Sequence, residues 1–390
     1  MPLFAKDLQQ RARKLAGFSL EDPEIDEPLQ VLVDALNREA RLTPAGEAAF
    51  GRRLVGLLAN RLRMERDFRK HPEIAEQQVV APIFILGLPR SGTTKMQKLL
   101  SVSGDFSELL YWMAFSPALV TGEHTEDNAP RIDEAEHFCR WMEQASPAVK
   151  LIHPYSTYEP EEVNPLLEQA LQTLWWAGWV EIPSYVGWLM AQDPLQPMRY
   201  LRRIFQYLQW QFNMGPDKPW ALKNPLFIGM EPIIRQVFPD AVLIMTHRHP
   251  FHCVASTISL QVAFHRAFSD VDINPPNIDV QASSGFRIME MLAAAAKQSA
   301  ANRVAFPHLG ILDVGYGELT KNSMPVVKRS YRHIGKPLSD AARDRIAAWE
   351  GENRQHKHGA HQYSLGQYRL TEDMVSERFG EYIQDYGDYF

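Results

Sequence analysis

Two cysteines, Cys139 and Cys253, are too few for a disulfide framework and have neither metal nor redox spacing. They read as reduced, packed thiols, which points to a reducing, cytoplasmic compartment. No apolar run approaches the ~18 residues of a membrane span. The opening Met-Pro-Leu-Phe-Ala-Lys-Asp-Leu-Gln-Gln-Arg carries charges where a signal peptide has its apolar stretch. Neither sign of charge dominates: 41 basic against 47 acidic residues leave a net −6, with no global pull toward nucleic acid, so any anion site must be local. No internal repeat is visible. With 45% apolar residues in 390, the chain has ample material for one large domain or two modest ones.

The most informative absence is a single lysine. Ile83 to Leu86 read as a short buried strand, Gly87-Leu88-Pro89-Arg90-Ser91-Gly92 as a tight turn, and an amphipathic helix opens at Thr93. Such a loop aims backbone N–H groups inward, and the helix end behind it adds a positive dipole, so together they hold a phosphate. The pattern nearly matches GxxxxGK[ST], but Thr93 stands where nucleoside-triphosphate enzymes have the lysine that reaches the β- and γ-phosphates. Arg90 offers a planar cation suited to an oxyanion instead.

Residues 1–80 read as a helical N-terminal extension, with Leu29, Leu32 and Leu36, then Leu54, Leu57, Leu58 and Leu62, at helical spacing. These helices pack on their own core or on a second copy of the chain, which leaves a homodimer open. Residues 81–390 form the second unit, with a helical insert at about 121–215. Within it lie the acidic Tyr158-Glu159-Pro160-Glu161-Glu162 segment and four of the nine tryptophans, Trp175, Trp176, Trp179 and Trp188, which suit a core or an apolar cover over a ligand.

Further strands are expected at Trp220–Leu222, Ala241–Met245 and Leu309–Val314, and long helices over 279–306 and 318–334. Strand, polar tip and helix recur, which predicts an α/β fold built on a P-loop-like parallel sheet flanked by helices, with ligands at the carboxyl ends of strands. The strand at 241–245 ends in Thr246-His247-Arg248 rather than an Asp that would hold magnesium; only Ile311-Leu312-Asp313 imitates that ending. The histidines at 356, 358 and 361 lack a carboxylate or cysteine at ligand spacing, and no metal site is expected.

Pro89-Arg90-Ser91-Gly92-Thr93-Thr94 resembles the 5′-phosphosulfate loop of the sulfotransferases. Arg248 with Ser256 eight residues on resembles their 3′-phosphate element. Leu222-Lys223-Asn224-Pro225, Pro160-Glu161-Glu162, Tyr316 with Glu318-Leu319, and His361 to Leu365 extend the similarity to the bacterial branch related to the tyrosylprotein enzymes, over roughly residues 81–387.

The resemblance implies in-line transfer of a sulfuryl group from 3′-phosphoadenosine 5′-phosphosulfate (PAPS) to a hydroxyl, leaving 3′,5′-ADP and needing no metal, and the tryptophan-rich segment suggests an apolar or aromatic small-molecule or lipid acceptor. It implies that Arg90, Ser91, Gly92, Thr93 and Thr94 bind the 5′-phosphosulfate and that Arg248 and Ser256 bind the 3′-phosphate. Lys223 lies near the transferring group or in a structural ion pair, and Lys357 to His361 close over the adenosine. The tyrosylprotein enzymes carry their base shortly after the loop helix, where Tyr111 to Met113 offer no carboxylate. Glu162 ranks first as substitute, its pKa raised by tryptophan neighbours, followed by Glu161, Glu159, His153 and Glu108. Two other readings stand beside this one: a P-loop kinase of small molecules, and a nucleotide-binding scaffold without catalysis.

Overall fold

A computed structural model describes residues 2–353 and 363–390. The stretch Lys357 to His361 lies outside the described residues. Five strands, β1 (Ile83–Gly87), β2 (Ser107–Glu108), β3 (Trp220–Lys223), β4 (Val242–His247) and β5 (Ile311–Gly315), form one sheet in the order β2-β3-β1-β4-β5, with every neighbouring pair parallel.

A parallel sheet covered on both faces needs strands that are apolar on both sides, and β1 meets that need. Phe84 and Leu86 enter the larger hydrophobic core, while Ile83 and Ile85 enter a smaller core on the other face. Leu243 and Met245 of β4 face the first core and Ile244 the second, in register with β1 from Ile83↔Val242 to Gly87↔Thr246.

From β1 the chain builds β2 and β3 on one side and β4 and β5 on the other. The strand order therefore reverses around the β1 tip, where a doubly wound sheet opens its ligand crevice.

The N-terminal helices Ala5–Ala16, Asp26–Arg38 and Pro44–Lys70 bury Leu29, Leu32, Leu36, Leu54, Leu57 and Leu58 in the same large core that takes Phe84 and Leu86. Thr43 caps the longest of them, its Oγ1 accepting from Gly46 N at 3.0 Å. From 121 to 215 the regular elements are all helical, the main ones being Ala129–Ala145 and Leu195–Gln211.

Several details differ from the sequence reading. The edge strand β2 is too short to carry a period. The helix expected over 279–306 begins at Ser284, because Ser283 caps it by accepting from Phe286 N at 3.1 Å. The run expected over 318–334 is two helices, Tyr316–Lys321 and Met324–Ile334, parted at Asn322 and Ser323 with Pro325 at the start of the second. The tryptophans divide: Trp176 and Trp179 pack against Phe50 within the core, whereas Trp175 reaches a cavity wall. Both cysteines are buried and free, and no helix of the described residues is long and apolar enough to cross a membrane.

Candidate active site

The β1 tip turns on three left-handed residues, Gly87 (φ 137°), Arg90 (φ 69°) and Gly92 (φ 103°). Gly87 is required twice over: an added Cβ would also lie 2.3 Å from the carbonyl oxygen of Thr246 on the adjoining strand. The loop is tied to β4 by Ser91 Oγ, 2.7 Å from Thr246 Oγ1, and Ser91 N donates to Leu88 O at 3.1 Å. Helix Thr93–Ser101 then starts without a side-chain cap, and Gly92, Thr93 and Thr94 at its start line the cavity that opens there.

The left-handed turn at Arg90 sends its side chain toward the tip of β4. Arg90 Nε donates to Ser256 Oγ at 3.2 Å and an Nη to Ile152 O at 3.1 Å; Arg248 Nη1 donates to Arg90 O at 3.0 Å. Arg248 also lies over the Tyr316 ring, 4.2 Å from its centroid. Burial, then the neighbouring Arg248 charge, holds the Arg90 guanidinium below its usual pKa. The two arginines are held by a hydroxyl, backbone carbonyls and a ring, and two converging cations so placed ask for an anion.

The acidic segment runs past the tips of β2 and β3. Glu161 N donates to Leu109 O at 2.9 Å and Val163 N to Lys223 O at 3.1 Å. Lys223, one of the largest fully buried side chains, extends Nζ to Glu162 Oε1 at 2.9 Å, Thr94 Oγ1 at 3.1 Å and Glu161 Oε1 at 3.6 Å. Asn164 Nδ2 donates to the other oxygen of Glu162 at 2.6 Å, and Asn224 Nδ2 to Asn164 Oδ1 at 3.0 Å. The polar partners that fix Glu162 are thus a lysine and an amide rather than tryptophans. Glu161 differs: burial pushes its carboxyl up, but Lys223 and His153 outweigh burial and hold it well below the ordinary range.

A cavity of about 1100 Å³ opens at these tips. It is walled by Arg90, Gly92, Thr93, Thr94, Glu162, His153 and Arg248 and by apolar side chains including Trp175, Leu189 and Phe264, the last 6.5 Å from His153 between ring centroids. Ser91, Ser256, Glu161 and Lys223 stand behind that wall and hold those that form it. Glu159 sits on the surface, paired with Lys98 at 2.5 Å. Glu108 lies on the edge strand β2, where burial raises its pKa.

Sequence reasoning passed over Asn164 and Gln97, whose Nε2 donates to Glu161 O at 3.1 Å. The only sequence signal for Asn164 was its place two residues beyond Glu162, where an amide can bond back to the carboxylate. Gln97 left no signal in an amphipathic helix.

Residues 82–340 match the family model described as Sulfotransferase family. The chain is 23% identical, over 326 residues, to the omega-hydroxy-beta-dihydromenaquinone-9 sulfotransferases Stf3 of Mycobacterium bovis and Mycobacterium tuberculosis, covering 78% of this chain and 75% of theirs. In fold it is similar to sulfotransferase STF9 from Mycobacterium avium (TM-score 0.82, 24% identity, 98% of this chain and 96% of that one). It is also similar to sulfotransferase STF1 from Mycobacterium tuberculosis (TM-score 0.76, 27% identity, 97% and 99%).

Proposed function

The chain belongs to the sulfotransferase family, and from that premise we propose that it moves a sulfuryl group from PAPS to a hydroxyl of an apolar, lipid-like acceptor, in line and without a metal. The observation that carries the donor half is the meeting of Arg90, from the β1 loop, with Arg248 and Ser256, from β4 and its following helix. A bisphosphorylated adenosine supplies one anion for the loop and a second for the Arg248 side. The acceptor half is supported by the largely apolar lining of the cavity and by relatives whose names specify a hydroxylated menaquinone.

Each residue then has a task. Glu162 takes the proton of the acceptor hydroxyl as its oxygen bonds to sulfur, while the bond from sulfur to the bridging oxygen breaks. Arg90 and the N–H groups of Gly92, Thr93 and Thr94 meet the charge that returns to the 5′-phosphate. Arg248 grips the 3′-phosphate and fixes the donor's register, while Ser256, behind the cavity wall, holds Arg90 in place. Lys223 holds Glu162 and Thr94 at a set separation, so base and phosphate loop stay aligned.

The test is transfer of labelled sulfate from PAPS to long-chain alcohols in EDTA. Product is expected, together with protection from heat by 3′,5′-ADP and none by ATP with Mg²⁺. Absence of product with every alcohol, in a protein that binds 3′,5′-ADP, would favour the non-catalytic scaffold; protection by ATP with Mg²⁺ would favour a kinase.

A further inference from the structure

The cavity exceeds what the donor requires. Its volume of about 1100 Å³ lies above the ~300–1000 Å³ of a site for one drug-sized molecule, and the arm of its lining drawn from residues 172–198 is mostly apolar, with Glu181, paired to Arg287 at 2.8 Å, set into it. Two glycines stand in that arm on short helices, Gly178 in Trp175–Trp179 and Gly187 in Pro183–Leu189. Neither adopts positive φ, and a Cβ added at either meets nothing within 4 Å. Backbone conformation therefore gives no reason for glycine where alanine makes a better helix. A side chain would extend into open space, at the half-buried Gly178 on the cavity lining and at the exposed Gly187 beside its mouth.

The same arm reaches the surface. Met190, immediately after Pro183–Leu189, lines the cavity and is 71% exposed. That wall is braced from outside, with Trp188 Nε1 donating to Glu27 Oε1 at 3.0 Å and Ser184 N to Glu39 Oε2 at 3.1 Å.

We propose that the acceptor's apolar tail runs along this arm past Gly178 and emerges beside Gly187 and Met190, and that the two glycines set the length and girth of the tail admitted. The orientation, hydroxyl toward Glu162, rests on the sulfotransfer reading. The acceptor class is an elongated, flexible alcohol whose tail outruns the cavity, in contrast to a compact ring alcohol enclosed within it.

Calorimetry of 1-hexanol and 1-dodecanol binding to the full chain saturated with 3′,5′-ADP tests this without requiring turnover. Six further methylenes, each worth up to roughly fourfold when buried, should make dodecanol at least about tenfold tighter than hexanol in the unmodified protein. Gly187→Phe and, independently, Gly178→Leu should remove about tenfold or more of the dodecanol affinity and leave hexanol and 3′,5′-ADP binding intact. The proposal is overturned if dodecanol binds no tighter than hexanol, if neither variant changes dodecanol, or if both alcohols weaken together. Failure of the sulfotransfer reading shows separately, as absence of transfer from PAPS by the unmodified chain.

Discussion

Lys223 Nζ stands 2.9 Å from Glu162 Oε1, and the same ammonium is 3.1 Å from Thr94 Oγ1 in the first turn of the loop helix. One buried cation thereby joins the proposed base to the proposed phosphate loop. It reaches that loop from β3, although the loop lacks a lysine at Thr93.

Glu162→Gln separates chemistry from binding. The amide keeps the shape but can accept from only one of Lys223 and Asn164, which bond different carboxylate oxygens, and it cannot take a proton. The rate of transfer should fall by about 10²–10⁴-fold while calorimetry with 3′,5′-ADP gives the same affinity. A variant that turns over normally would leave the base to be sought at Glu161 or His153, which are 3.5 Å apart.

Arg248→Ala should act on the donor instead. It removes charge-assisted bonds worth ~1.5–3 kcal/mol, so 3′,5′-ADP should bind about 10- to 100-fold more weakly, with the melting temperature of the free protein little changed. Arg248→Lys should recover only part, because an ammonium keeps the charge but loses the planar stack on Tyr316. Equal 3′,5′-ADP affinity in the unmodified chain and both variants would count against a 3′-phosphate at this position.

Gly87→Ala and Gly187→Ala are the same change with opposite expected results. At Gly87 the φ of 137° and the 2.3 Å approach to Thr246 O must both be relieved, costing at least ~1–3 kcal/mol of stability. At Gly187 the backbone is already helical and the space is open, so urea unfolding should find the protein unchanged or stabilised by up to ~1 kcal/mol.

Much of the arrangement could be read in the sequence, and the limits have physical causes. Ile83 to Leu86 announced a central strand because burial on both faces leaves no polar position, and the glycines at 87 and 92 announced the turn. Arg248 with Ser256 stood out because strand tip and following helix are local. What brings them to Arg90 is the pairing of β1 with β4, a contact across 166 residues between Arg90 and Ser256 that no spacing encodes. Asn164 and Gln97 matter only through such long-range folding. The buried pair Arg53 and Glu168 was likewise invisible, because each residue alone reads as helix surface.

That pair carries the pH dependence we expect of stability. Glu168 is 1% exposed, and Arg53 Nε donates to its Oε2 at 2.6 Å while the guanidinium lies 3.8 Å over the Phe115 ring. Burial pushes the Glu168 carboxyl up to about 7 from 4.5, even with Arg53 pulling it back. Between those values the folded protein keeps a proton that the unfolded chain has released. Stability from this group is therefore greatest below the unfolded pKa and declines as pH rises through about 7. The full difference is on the order of 3 kcal/mol, taking ~1.4 kcal/mol per pKa unit. Glu168→Gln resembles the protonated side chain at every pH. Urea unfolding at pH 5 and pH 8 should thus show the variant gaining on the unmodified protein by roughly that amount as pH rises. A difference that stays constant between the two pH values would mean that Glu168 is ionised throughout and that Arg53 compensates its burial completely.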